Sequence, residues 1–276
     1  MRTRDPAVQG RFYPGTKDRI EELISQIEMQ ERYPAPDLLI HSVIGAVLPH
    51  AGHIYSGYQT IPFFQLLIKE KIRPDTFVIV HPSHSGFGEP VCLDDSNSWK
   101  NALGSIELDM DFGSLLELPE SGTAHAHEHS GEVILPFIQY YFKGHPFRIV
   151  PICMSDQSFE SASELGNRIF RASQRLEKQI MVLASSDFSH FLSSEDGYKA
   201  DQPVVDAITS GDIEGVYKAV KQRRISVCGY GPIMTLMAYS ALVDPDYNTY
   251  TLARGHSGEV SPSSEVVDYI SFLMYN

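Results

Sequence analysis

The chain has 276 residues, 42% of them hydrophobic, and a formal net charge of −13. That length supports a large buried core, and the negative charge excludes a broad nucleic-acid surface, which needs clustered Lys and Arg. No apolar run approaches the roughly 18 residues that span a bilayer, and three cysteines are too few for a disulfide framework, so a soluble protein of the reducing cytoplasm is expected, with no membrane partner.

Arg11-Phe12-Tyr13-Pro14-Gly15 reads as a turn, and Asp18-Arg19-Ile20-Glu21 resembles a capping box before Ile20, Leu23, Ile24 and Ile27 at helical spacing. Residues 43–48 are a short, nearly continuous apolar run, the pattern of a strand buried on both faces. Pro49 stops that run, so His50 falls at a strand end, with Gly52 permitting a tight turn and a helix expected from about Ser56. Pro62 then lies near the start of this helix, where proline is tolerated. A second buried strand, residues 76–80, runs into His81-Pro82-Ser83-His84 and repeats the arrangement of strand, proline and histidine. Val91-Cys92-Leu93 and residues 104–108 read as a β-hairpin turning at Asp94-Asp95-Ser96-Asn97 and carrying Trp99, a candidate pocket wall.

His125-Ala126-His127-Glu128-His129 is the densest histidine tract; on an extended segment its three imidazoles would share one face. Ser130 reads as the N-cap of the helix that follows, which makes His129, nearest the helix start, a pocket candidate. Residues 147–152 and 180–184 are further strands, with a helix over 161–176 between them. The second of these strands opens into Ser185-Ser186-Asp187-Phe188-Ser189-His190, where a helical turn would place Asp187 and His190 on one side. Two helices broken at Ser210-Gly211-Asp212 follow. Cys228 precedes the helix begun by Pro232, where backbone amides favour a thiolate. Residues 249–253 and 266–273 supply the last strands. Alternating strands and helices without a linker argue for one α/β domain of three layers over 1–276.

His50, His84, Asp187 with His190, and Cys228 thus all fall at strand ends or helix starts, and one edge of an α/β sheet gathers such turns into a crevice. Two imidazoles and a thiolate suit Fe(II), copper or zinc and suit oxygen-seeking Mg(II) or Ca(II) badly. Three protein ligands leave open positions, as a catalytic metal requires. Asp187 and His190 are then placed to hold water or move protons.

Gly10-Arg11-Phe12-Tyr13-Pro14, Pro49-His50-Ala51-Gly52 with Tyr55-Ser56-Gly57, Pro82-Ser83-His84, Glu128-His129-Ser130 with Glu132, Ser185 to His190, and Cys228-Gly229 together resemble the Memo family, whose bacterial and archaeal members are called AmmeMemoRadiSam system protein B. The resemblance implies a three-layer sandwich with a central mixed sheet, similar to class III extradiol ring-cleaving dioxygenases, in which two histidines and a carboxylate hold Fe(II). It implies a metal at His50, His84 and Cys228, a cysteine standing for the carboxylate, with catalytic Asp187 and His190 beside it and His53, His129, Glu132 and Tyr55 around it. It further implies iron or copper redox chemistry on a small molecule, or peptide binding in the same crevice, and radical-SAM and AMMECR-type partner proteins. His53 stands where the family pattern has tyrosine, and Ile134 where some members carry a second histidine.

Overall fold

Short apolar runs interrupted by proline or small residues become the inner strands of one sheet. The computed structural model describes residues 2–276. In chain order the elements are β1 (Thr3–Arg4), α1 (Lys17–Glu28), β2 (Val43–Leu48), α2 (His53–Lys69), β3 (Thr76–Pro82), β4 (Val91–Leu93), β5 (Ser98–Asn101), β6 (Gly104–Glu107), α3 (Met110–Leu115), α4 (Gly122–His125), α5 (Leu135–Tyr141), β7 (Arg148–Met154), α6 (Phe159–Ser173), β8 (Ile180–Ser185), β9 (His190–Leu192), α7 (Ser194–Thr209), α8 (Ile213–Arg223), α9 (Tyr230–Val243), β10 (Asn248–His256) and β11 (Val266–Tyr275). The main sheet runs β10-β11-β2-β8-β3-β7-β4. Its four central strands are parallel, and β11, β10 and β4 add antiparallel edges.

The period-2 alternation of a strand divides the core into two halves. Phe77 and Ile79 of β3 join a cluster with Ile20, Phe64 and Phe137 from α1, α2 and α5. Val78 and Val80 face the other way, toward Leu165, Val204 and Leu236 of α6, α7 and α9. Each such fully buried side chain contributes roughly 1.5–3 kcal/mol. The result is the expected α/β architecture, helices covering both faces of a mixed sheet. Because β2, β3 and β8 run parallel, their C-terminal ends all open on the same edge, and the loops carrying His50, His84 and Asp187 converge there.

Several local expectations are corrected. α2 begins at His53, three residues earlier than its apolar stripe, so Pro62 sits in mid-helix and leaves the Tyr58 carbonyl without its helical donor. Asp18 starts no capping box; Thr16 is the N-cap and makes no side-chain cap bond. The hairpin is β5–β6, turning at residues 101–104, while β4 pairs with β7 on the main sheet. Asp94 to Asn97 therefore crosses between two sheets, pinned by the Asp94 carboxylate on the Ser96 amide at 3.0 Å. Trp99 is no pocket wall: it is buried beneath the Arg4 guanidinium, 4.1 Å from its ring centroid.

Candidate metal centre

His50 follows the last residues of β2, and its imidazole is 2% exposed. Its main-chain N–H donates to Asp187 Oδ1 at 2.8 Å. The Ser185 hydroxyl at the end of β8 donates its single hydrogen to the Ser130 carbonyl at 2.7 Å. His50 Nδ1, 2.7 Å from the same oxygen, must then be the donor there. That fixes the tautomer: Nε2 carries the bare lone pair, and it lies 3.2 Å from Cys228 Sγ.

Cys228 reaches this position because residue 229 is glycine, since a Cβ there would collide with the Ser185 carbonyl and the Ser186 side chain. The Asp187 N–H donates to its sulfur at 3.2 Å. Burial and the Asp187 charge raise the thiol above its ordinary pKa, so the helix-start position does not by itself yield a thiolate. A cation bound against the sulfur would supply the compensating charge.

His84 is held differently. Its main-chain N–H and its Nδ1 donate to the two oxygens of Glu128, at 2.6 and 2.9 Å. Glu128 also accepts the amides of His129 and Ser130 and the Ser130 hydroxyl, and His129 Nδ1 stands 3.2 Å from Oε1. Burial alone would raise this carboxyl's pKa, but the bonds from His129 and His84 outweigh it and hold the group far below the usual carboxylate range. The same bond lifts His84, against the lowering effect of its burial. In the sequence Glu128 stands out only as part of the Glu128-His129-Ser130 motif; the signal for its role is its position beside His129, since metal-binding imidazoles commonly donate their second nitrogen to a carboxylate.

Two sets of three residues bring ligand atoms within 4.8 Å of one another: His50, His84 and Cys228, and His84, Glu128 and His129. The second set is the orienting network just described, its carboxylate oxygens already taken by five donors. The first set has donor atoms not committed to a protein partner, two imidazole Nε2 and a sulfur, which fits a borderline-soft cation with open positions.

The remaining candidates divide. The Asp187 carboxyl, buried and raised in pKa by that burial, lies 4.0 Å from His50 Nε2. His190 is reached by a loop into β9 rather than by the expected helical turn; its N–H and Nδ1 donate to the Ser226 hydroxyl and carbonyl at 2.8 and 3.0 Å. Phe191 beside it is exposed and left-handed, at φ 60°, a strained conformation for a bulky residue. The histidine tract shares no face: His125 is fully buried, His127 exposed, and His129 turns to the centre, its ring 4.6 Å from that of His84. Ser130 is not a helix cap; its one hydroxyl hydrogen is shared between Glu128 Oε1 and the Pro82 carbonyl, each at 2.9 Å.

His53 and Glu132 lie apart from the donor atoms. His53 is buried between Tyr13 and Phe137, its Nε2 donating to the Val133 carbonyl at 2.8 Å, and burial lowers its pKa to about 4. Glu132 pairs with Arg4 at 2.8 Å and accepts from Ala7, Val8 and Tyr13. It ties the N-terminal segment across the edge so that Phe12 packs 4.8 Å from the His129 ring. Tyr55 is half-buried on the first turn of α2, near Tyr269, whose phenol burial pushes up.

A profile of the Memo-like protein family matches residues 4–273. The chain belongs to the Memo family. MEMO1 family proteins of Methanosarcina acetivorans and Archaeoglobus fulgidus are each 37% identical to it, over 99% of this chain and 100% of the relative for the first, and 98% of both for the second. A crystal structure of the uncharacterized protein JW3007 from Escherichia coli K12 shares the fold, with a TM-score of 0.52 at 13% identity over 83% of this chain and 99% of that one. Among the described residues of this Memo-family chain no helix is long and apolar enough to cross a membrane.

Proposed function

We propose that this Memo-family protein is a metal-dependent oxidoreductase that holds Fe(II), with copper or zinc as competing ions, through His50 Nε2, His84 Nε2 and Cys228 Sγ. The supporting observation is that each of these imidazoles spends its Nδ1 on a protein acceptor and turns a bare nitrogen toward the same sulfur. When bound, the ion supplies Lewis acidity and one-electron chemistry at its open positions.

The chain's own residues do the rest. Asp187 accepts the His50 main-chain N–H and so fixes that backbone, and its carboxyl, raised in pKa by burial, stands close enough to the ligand atoms to pass a proton. His190 is oriented by its Nδ1 bond to the Ser226 carbonyl, which leaves Nε2 as acid or base for the substrate. His129 is oriented in the same way by Glu128. Phe12 over His129 and the burial of His50 limit water at the ligand atoms.

The test is metal content after anaerobic purification and reconstitution, for the wild type and for His50→Ala and Cys228→Ser. The reading expects about one ion per chain in the wild type, as a three-ligand catalytic site holds, and a large loss in both variants. Variants that retain the wild-type stoichiometry and affinity would refute it.

A further inference from the structure

Beneath the loop that carries Asp187 and His190 lie two further carboxyl groups that the metal centre does not use. Asp201 of α7 and Asp268 of β11 are 0% and 4% exposed. Between them sits the Ser189 hydroxyl, 3.0 Å from Asp201 Oδ2 and 3.2 Å from Asp268 Oδ2. A hydroxyl has one hydrogen, so Ser189 can donate to only one of these oxygens. The other carboxyl must bring a proton of its own, or two acceptors face each other unpaired in the interior, which is costly.

The same groups hold the loop. The Ser189 N–H donates to Asp201 Oδ1 at 3.1 Å, Asp268 N–H donates to the Ser189 carbonyl at 2.9 Å, and the Phe188 N–H donates to the Asp268 carbonyl at 2.9 Å. Residue 197 is glycine because a Cβ there would press on Asp268 Oδ2 and the Ser189 hydroxyl, so α7 closes directly over the pair. Among the described residues no Lys, Arg or His forms an ion pair with either carboxyl, although His256 and Arg254 are near enough to lower Asp268 somewhat against its burial. Arg254 of β10 is turned to Gln202 and the Tyr198 carbonyl, at 2.8 and 2.7 Å, and His256 of β10 stands opposite Asp268 in the strand register. Asp187 and His190 belong to the held loop itself, and Glu195, Asp196, Lys199 and Asp206 of α7 are exposed.

We propose that Asp201 and Asp268 share a single proton through Ser189, and that this proton is a latch positioning the 187–190 loop, and so Asp187 and His190, against β11. Burial first and the Asp268 charge second push Asp201 up to about 7, and burial raises Asp268 as well, so the latch opens near neutrality. The folded state holds the proton more tightly than the unfolded chain does. Its stabilising contribution is therefore complete below the ordinary Asp value of 3.8 and is lost as pH rises toward about 7. Above that, two like charges share one hydroxyl and the loop loosens.

Infrared spectra of the wild-type protein test this directly. In wild-type-minus-variant difference spectra a protonated-carboxyl component is expected at about pH 6 that disappears by about pH 9; it is the component lost in Asp201→Asn and Asp268→Asn, distinct from any signal of the buried Asp187, which both variants keep. Each amide supplies a permanent donor in place of the shared proton, so both variants should keep the loop closed. Hydrogen exchange of the 187–192 amides, corrected for intrinsic rates, should show wild-type protection falling as the band disappears and the variants' protection holding. A protonated-carboxyl signal identical in the wild type and both variants would overturn the latch, as would protection independent of pH. Circular dichroism establishes that each variant is folded before its infrared spectrum is compared, and the pH dependence of the wild-type band and protection needs no variant. None of these readouts involves a metal, so failure here and failure of the proposed metal chemistry are separate results.

Discussion

Glu128→Gln is the sharpest single perturbation of the centre, because it preserves volume and removes only charge and one acceptor. Oε1 accepts from His84 Nδ1, the His129 and Ser130 amides and the Ser130 hydroxyl, while Oε2 accepts the His84 amide. A glutamine with its oxygen at the Oε1 position turns its NH₂ against the His84 N–H, leaving one buried donor unpaired at about 1–3 kcal/mol. The four remaining bonds lose their charge assistance, which roughly halves each. Simply added, these remove about 4–9 kcal/mol of local stabilisation. Loss of an orienting carboxylate of this kind lowers metal affinity about 10- to 100-fold. Competition against a chromogenic chelator measures that directly, with circular dichroism confirming that the fold persists. A Glu128→Gln protein that folds and binds metal as tightly as the wild type would show that the carboxylate does not set the imidazole orientation.

Other outcomes follow from the same geometry. Metal affinity should fall with acid, because His84, raised in pKa by Glu128, and the raised Cys228 thiol must both lose protons on binding; proton release measured by pH-stat on metal addition checks it. Stability should also fall below about pH 6.5, because burial lowers His50 well below its ordinary value, His53 to about 4 and His81 and His125 to about 3. These four bind protons only on unfolding, so the contribution is lost as pH drops from the unfolded value toward the folded ones, by about 5 kcal/mol per pH unit while all four titrate. Denaturant midpoints of the metal-free protein at a series of pH values would show the slope, and His53→Phe should reduce it by about a quarter while leaving metal affinity unchanged. Glu132→Ala should destabilise the protein by about 3–5 kcal/mol, since it strands the buried Arg4 charge; faster proteolysis ahead of residue 14 is the accompanying readout.

The strands and their order in the chain were legible because parallel strands buried on both faces leave continuous apolar runs, and β2, β3 and β8 each end in small or polar residues. The convergence of His50, His84 and Asp187 followed from that, since parallel strands open at one edge. What the sequence could not convey was direction. His50 and His53 are three residues apart, yet one faces the centre and the other the Phe137 side of the core, because α2 starts at His53 and turns it inward. The same holds for His125, His127 and His129, which a short helix and a turn send three ways. Glu128 and Glu132 exchanged expected importance for a similar reason: only the folded chain shows that one carboxylate faces His84 and the other Arg4. The Asp201 and Asp268 pair carried no local signal, its members lying on α7 and β11, far apart in the chain.

X-ray absorption at the metal edge of the iron-loaded, anaerobic protein examines the central claim most directly. A sulfur neighbour at about 2.3 Å together with imidazole nitrogens at about 2.0–2.1 Å, by analogy with zinc sites of the same ligands, and loss of the sulfur in Cys228→Ser, are the expected result. A first shell of oxygen and nitrogen alone, unchanged by that substitution, would contradict it.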